Sequence, residues 1–151
     1  MIITFCGHSK FTTKKAYEEK IISYLEKIVG DNVVDMYLGG YGDFDNFAYE
    51  CCKKFKASHP KTNLVFVTPY YTIEYQRKHL KYQKERYDLI IYPEIENRPL
   101  KFAITYRNRY MVDKADYVIC YVEHDWGGAY QTYKYAKKKG KNIYNLESFD
   151  K

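Results

Sequence analysis

Short apolar runs alternate along the chain with longer stretches in which apolar residues recur at helical spacing. Residues 12–30 show the helical pattern first, with Thr12 or Thr13 available to cap the start of the helix and Gly30 to end it. The apolar residues expected on the buried face of this helix are Ala16, Ile21, Tyr24, Leu25 and Ile28.

The same alternation continues through the chain and defines its fold class. It predicts strands at residues 1–6, 32–39, 63–69, 88–95, 116–123 and 142–146. It predicts helices at residues 12–30, 43–59, 101–115 and 127–141. The charged segment 70–87 is either a partly exposed helix or a long, mobile loop. This order is typical of an α/β fold, so we expect residues 1–151 to form one domain with a mainly parallel sheet of about five to six strands and helices on both faces.

Glycines follow three of the predicted strands, at the sheet edge where open parallel sheets bind ligands. A helix N-terminus presents unpaired N–H groups and a positive dipole end, and glycine there lets a phosphate or ribose approach the backbone. Each cluster is either a tight turn or part of a ligand cradle, and two clusters at one edge favour the cradle. The residues expected to contact a ligand at these strand ends are Gly7, His8, Ser9, Gly39, Gly40, Gly42, Gly127, Gly128 and Ala129.

Acidic and aromatic side chains stand beside these glycines. Asp43 and Asp45 follow the cluster at residues 39–42, and we expect one of them to cap the next helix and the other to accept hydrogen bonds from a ribose. Tyr70, Tyr71 or Trp126 would stack on a base, and Trp126 is as well placed to plug the end of the core.

Histidine and arginine supply further candidates. His8 is either a ligand contact or a histidine bonded to a backbone carbonyl. Arg107 and Arg109 lie two residues apart on a predicted helix and therefore face different directions, so we expect only one of them, Arg107, to bind phosphate. His124 and Asp125 are a candidate acid–base pair.

Composition narrows the class of partner. The 151 residues carry a net charge of +6 and 19 tyrosines, which suit an anionic, nucleotide-sized ligand and equally suit a composition bias without a ligand, whereas the charge is too small to indicate duplex DNA. None of the four cysteines is spaced C-x-x-C, so we expect buried thiols, no metal site and no cofactor. The sequence has no apolar run of about 20 residues and no recognisable export signal. We therefore expect a cytoplasmic protein without membrane partners.

Several motifs together resemble the SLOG superfamily, the Rossmann-like domains of DprA, the LOG phosphoribohydrolases and YpsA-like proteins. "TFCGHS" resembles the start of the YpsA-like branch, with Ser9 where that branch has arginine. "MYLGGYGDFDNFAYE" resembles the first glycine motif of the family, and "RNRYMVDKADYVICYVEHDWGGAYQTYKYA" resembles its second half. The resemblance implies a Rossmann-like fold, a nucleotide-type ligand and self-association as a homodimer.

The resemblance to the LOG enzymes is incomplete at the catalytic positions. Arg107 matches their arginine, but Tyr133 or Lys134 stands where they have a glutamate on the second glycine helix. The nearby carboxylates that could replace it are Asp43, Glu50, Glu123 and Asp125. The resemblance therefore implies a nucleotide sensor or binding module more than an enzyme. The alternative is an N-glycosidase-like nucleotide hydrolase, and the third interpretation is single-stranded DNA binding through the basic segment 77–86, possible but not favoured.

Overall fold

The computed structural model describes residues 1–70, 73–95 and 99–147. Within them, six strands form one parallel sheet in the order β4-β3-β2-β1-β5-β6. The strands are β1 Ile2–Gly7, β2 Val34–Leu38, β3 Thr62–Val67, β4 Leu89–Ile91, β5 Tyr117–Tyr121 and β6 Asn142–Asn145. This confirms the predicted α/β fold with a parallel sheet.

Helices connect the strands. They are α1 Lys15–Val29, α2 Asp43–Ser58, α3 Ile73–Tyr75, α4 Lys81–Arg86, α5 Ala103–Lys114 and α6 Gly128–Lys138. A π-helical turn, Gln76–Leu80, joins α3 to α4, and a 3₁₀ turn, Leu100–Phe102, precedes α5. The segment left open by the sequence is thus helical from residue 73 to residue 86, and no described helix is long and apolar enough to cross a membrane.

The two faces of the sheet pack against different helices. Ile3 and Phe5 of β1 are buried in a core with the apolar sides of α1 and α2. Cys6 of the same strand points the other way, where Val112 of α5 and Ala136 of α6 cover it. This alternation along a strand gives the predicted helix layer on each face.

Strand order creates a switch point between β1 and β5. From β1 the chain adds β2, β3 and β4 on one side, and then crosses back to add β5 and β6 on the other. The two central strands are in register, with Cys6 opposite Cys120. The connections that leave their carboxyl ends diverge, and this divergence opens a crevice at that edge.

Two predicted boundaries are wrong for identifiable reasons. The fourth strand ends at Ile91, not at residue 95, because Pro93 has no N–H with which to extend the ladder. Helix α1 begins at Lys15, after an extended N-cap residue, and neither Thr12 nor Thr13 caps it.

The buried side of α1 also differs from the expected one. Tyr17 and Val29 are buried together with Ile21 and Leu25, whereas Ala16 is exposed. The four-residue spacing from Tyr17 to Val29 forms one line along the helix, and Ala16 lies off that line. Gly30 ends the helix with a φ of 56°, as predicted.

Candidate functional site

A cavity of about 520 Å³ lies at the carboxyl edge of the sheet, at the switch point between β1 and β5. It is lined from the end of β1, the first turn of α2, one side of α5 and the start of α6. The predicted residues that line it are Gly7, His8, Ser9, Asp45, Arg107, Glu123, His124, Trp126, Gly127, Gly128 and Ala129. Lys10, Tyr41, Asn108 and Thr132 also line it and were not predicted, although the last three stand inside the quoted motifs.

The N-terminus of α6 opens onto this cavity. Gly127 is its N-cap, with a φ of 90° that favours glycine, and no side chain caps the helix. The N–H of Gln131 donates the first helical hydrogen bond, to the carbonyl of Gly127, so the amides of Gly128 and Ala129 precede the helical ladder. A Cβ built on Gly128 would meet no atom within 4 Å. The amides are therefore accessible to a ligand.

Three aromatic rings stack along one wall. The His8 and His124 rings lie 3.7 Å apart between centroids, and the His124 and Trp126 rings lie 3.8 Å apart, both nearly parallel. Trp126 remains 66% exposed, so the interpretation that it plugs the core is wrong. Sequence could not show this stack, because the fold brings together two loops more than 110 residues apart.

His8 has a fixed tautomer. Its Nε2 accepts a hydrogen bond of 3.0 Å from the backbone N–H of Glu123, so the neutral ring carries its proton on Nδ1. Burial and the neighbouring His124 lower the pKa of His8. The expected alternative of a carbonyl partner is wrong for Nε2, which accepts here and does not donate. His8 therefore presents a neutral ring to the cavity.

Arg107 is buried at the back of the cavity, with 2% exposure. Its Nη1 donates to the carbonyl oxygens of Gly39, at 2.9 Å, and Val67, at 2.8 Å, while Nε donates to Asn108 Oδ1 at 2.9 Å. Burial lowers its pKa. Arg107 thus joins the ends of β2 and β3. Arg109 is exposed and lies over the Tyr135 ring, which confirms that the two arginines face differently.

Asp45 lies on the cavity side of the first turn of α2. Its Oδ2 accepts a hydrogen bond of 2.9 Å from the N–H of Tyr41. Burial raises the pKa of Asp45 to about 6, and the Tyr41 N–H and nearby Arg107 only partly offset this. A carboxyl with a raised pKa in a cleft is a common mark of a functional site.

The expectation that an aspartate caps α2 is wrong. Gly42 is the N-cap, and no side chain bonds to the first turn. Asp43 instead accepts a hydrogen bond of 3.3 Å from the N–H of Phe11, across the adjoining loop. The sequence presents Asp43 and Asp45 as equivalent, and only their burial separates them.

The glycines at residues 39–42 pack behind the cavity wall and are absent from its lining. Gly40 has a φ of 64°, and a Cβ there would lie 2.7 Å from Phe66. Gly42 has a φ of 91°, and its Cβ would lie 2.8 Å from the Cα of Ser9. A Cβ on Gly39 would approach both Arg107 and Asp45 to 3.2 Å. These three glycines shape the turn, and the structure gives them no open cradle.

The remaining predicted residues lie elsewhere. Asp43 and Glu50 line a separate groove between α1 and α2. Tyr70 contacts the Tyr75 ring, and its backbone forms hydrogen bonds with the Thr68 hydroxyl. Asp125 is exposed and does not line the cavity. Tyr71 lies outside the described residues.

The cysteines are free and buried, as predicted. A hydrogen bond with Cys120 and burial raise the pKa of Cys6. Within the part of the chain that the structure describes, no group of three His, Cys, Asp or Glu side chains is arranged to hold a metal ion.

Comparison with known proteins supports the fold. No family model matches the chain, and no curated protein matches it. A solved structure of DNA processing protein A from Helicobacter pylori, described as binding single-stranded DNA, matches with a TM-score of 0.63 and 21% identity. The match covers 98% of this chain and 66% of that one, so this chain spans just under two thirds of its neighbour.

The fold and cavity therefore define a Rossmann-like α/β domain with a ligand-sized cleft at its switch point. The solved structure of DNA processing protein A shares this fold. At this identity the likeness concerns the fold alone.

Proposed function

We propose that the cavity binds a nucleotide or a nucleotide-derived small ligand and that the domain acts as a sensor or binding module of the SLOG type. The observation that carries the proposal is the open N-terminus of α6, which faces a cavity of about 520 Å³ beside an exposed tryptophan. That volume lies within the usual range for small-molecule sites, roughly 300–1,000 Å³.

The phosphate would bind at the start of α6. The amides of Gly128 and Ala129 precede the helical ladder there, and the helix dipole favours an anion. Lys10 lines the same cavity and adds a positive charge. Arg107 donates its hydrogen bonds to backbone carbonyls, so it would stabilise the cavity wall instead of neutralising the phosphate.

The base would stack on Trp126. Its ring already forms one end of a parallel stack with His124 and His8, and most of the indole is exposed. Stacking a base on an aromatic side chain contributes about 1–3 kcal/mol and tolerates different bases. The ribose would then lie towards Asp45, the partly buried carboxyl in the cavity lining.

Gly128→Val tests this arrangement. We expect the variant to keep its fold, because a Cβ at residue 128 meets open space, and to lose nucleotide binding at least tenfold, because the side chain fills the phosphate position. Gln131→Val is the matched control, since it places the same residue on an exposed position of the same helix outside the cavity lining. Calorimetric titration with AMP and GMP, with circular dichroism for the fold, measures both. Equal affinity of the two variants would contradict the site.

The same titrations separate a binding module from a hydrolase. We expect bound AMP to remain intact when free base is measured by chromatography. Of the carboxylates considered from the sequence, Asp43, Glu50 and Asp125 do not line the cavity, whereas Glu123 does, together with Asp45. If free base is released by the parent and by Glu50→Gln but not by Asp45→Asn, the protein is a hydrolase and the interpretation as a binding module is wrong.

Single-stranded DNA binding is the second candidate, favoured by the fold match to DNA processing protein A. The basic segment 77–86 exposes Lys78, Lys81 and Lys84 on the surface, beside Tyr82 at 54% exposure. Aromatic rings beside lysines suit a single strand.

Matched charge reversals test this candidate. If it holds, Lys81→Glu with Lys84→Glu will weaken binding of a labelled oligothymidine and reduce its salt dependence. Lys137→Glu with Lys138→Glu on α6 makes the same change in net charge elsewhere and is the control. Equal weakening by both pairs would indicate non-specific attraction only.

Placement in the YpsA-like branch, self-association as a homodimer and a cytoplasmic location stay predictions. Sedimentation velocity with and without AMP measures the oligomeric state directly, and a monomer in both conditions would contradict the dimer.

A further inference from the structure

One carboxyl oxygen in the cavity accepts no hydrogen bond from the described residues. Asp45 Oδ2 accepts the Tyr41 N–H, while Oδ1 has no hydrogen-bond partner among the described residues. An ionised carboxylate accepts about four hydrogen bonds in total. Asp45 therefore has acceptor capacity left for a ligand that brings hydroxyl donors.

We propose that Asp45 accepts hydrogen bonds from the vicinal hydroxyls of a ribose, so that the site selects ribonucleotides over 2′-deoxyribonucleotides. This inference rests on the proposed function and adds the sugar specificity of the site. Asp43 is excluded from this role, because it lies in the separate groove between α1 and α2.

The surroundings of Asp45 favour its neutral form until a ligand arrives. The titratable groups that face it are Arg107 of α5, Cys6 of β1 and Tyr87 after α4. Cys6 and Tyr87 are neutral, because hydrogen bonding and burial raise the pKa of Cys6 and burial raises that of Tyr87. Arg107 lies near but forms no direct ion pair with Asp45 among the described contacts, and it donates to carbonyls instead.

The direction of the proton linkage follows from this. Burial raises the pKa of free Asp45 to about 6, so a substantial fraction of the carboxyl is protonated near that pH. Ribose hydroxyls stabilise the ionised form, which lowers the pKa in the complex and expels the proton. Affinity for a ribonucleotide should therefore rise with pH, by about tenfold between pH 5 and pH 7, and then level off.

Calorimetry with AMP and dAMP tests the inference, at pH 5, 6 and 7 and in two buffers of different ionisation enthalpy. We expect AMP to bind about tenfold more tightly than dAMP at pH 7, the usual effect of a hydrogen bond to a charged group. We also expect proton release with AMP near pH 6. His8 can add a proton effect of its own, so the variants decide the assignment.

Asp45→Asn should bind AMP and dAMP equally and lose the proton release, whereas Asp43→Asn should behave like the parent. Equal binding of AMP and dAMP by the parent, or a proton release in Asp45→Asn as large as that of the parent, would overturn the inference and leave the nucleotide site standing. Failure of the parent to bind either nucleotide would overturn both.

Discussion

Replacing Arg107 by alanine is expected to lower the free energy of unfolding by about 2–6 kcal/mol, since each of the two buried carbonyl oxygens that lose their donor costs about 1–3 kcal/mol. The Nη1 atom of this buried side chain holds the carbonyls of Gly39 and Val67. Removing it leaves two buried acceptors unsatisfied, empties the space behind the cavity and deprives Asp45 of its nearest cation. Urea denaturation followed by circular dichroism measures the loss.

Arg109→Ala is the control for this change. Arg109 is exposed on the same helix and rests over the Tyr135 ring, so its loss should cost less than about 0.5 kcal/mol. A side chain that served mainly to bind phosphate would give the opposite result. Arg107→Ala would then retain nearly full stability and lose only nucleotide affinity, and this outcome would contradict the structural role assigned here.

Asp45→Asn is expected to raise the free energy of unfolding at pH 7.5 by up to about 3 kcal/mol, since one unit of pKa corresponds to about 1.4 kcal/mol. Burial raises the pKa of the carboxyl from 3.8 to about 6, so the folded state favours the protonated form. Its contribution to stability is complete below pH 4 and is lost as pH rises through 6. Asparagine resembles the protonated acid and cannot ionise.

The pH dependence of this gain separates it from general effects of the substitution. The stabilisation should be large at pH 7.5, shrink near pH 5 and vanish near pH 4. Asp43→Asn should show no such profile, because Asp43 is exposed and lies outside the cavity lining. A parent protein more stable than Asp45→Asn at pH 7.5 would show that the carboxylate stabilises the fold. A stabilising substitution that weakens ribonucleotide binding would instead mark Asp45 as retained for function.

Much of the fold could be predicted from the sequence, because apolar periodicity distinguishes strands from helices locally. The strand ends were therefore correctly located as the edge where ligand-sized space opens. The predicted ends of elements were wrong where a single residue determines the end, as Pro93 does for the end of β4. The buried face of α1 was predicted incorrectly because Ala16 and Tyr17 both fit an apolar helical pattern. Packing in the folded protein buries Tyr17 and leaves Ala16 exposed.

The site could be predicted only in part. The glycines at residues 39–42 and 127–128 look alike in sequence, yet a Cβ on Gly40 would strike Phe66 while one on Gly128 meets open space. Whether a glycine is packed against other atoms or faces open space depends on residues that are distant in the sequence. The ring stack of His8, His124 and Trp126 has the same origin, since it forms where two loops meet at the switch point.

The most direct test of the central claim is a titration of the ¹⁵N-labelled protein with AMP, followed by heteronuclear NMR. The proposed site predicts that the largest shifts occur at the backbone amides of Gly128 and Ala129 and at the indole N–H of Trp126, with saturation on adding ligand. Shifts confined to residues 77–86, or no shifts at millimolar AMP, would contradict a nucleotide site at the switch point.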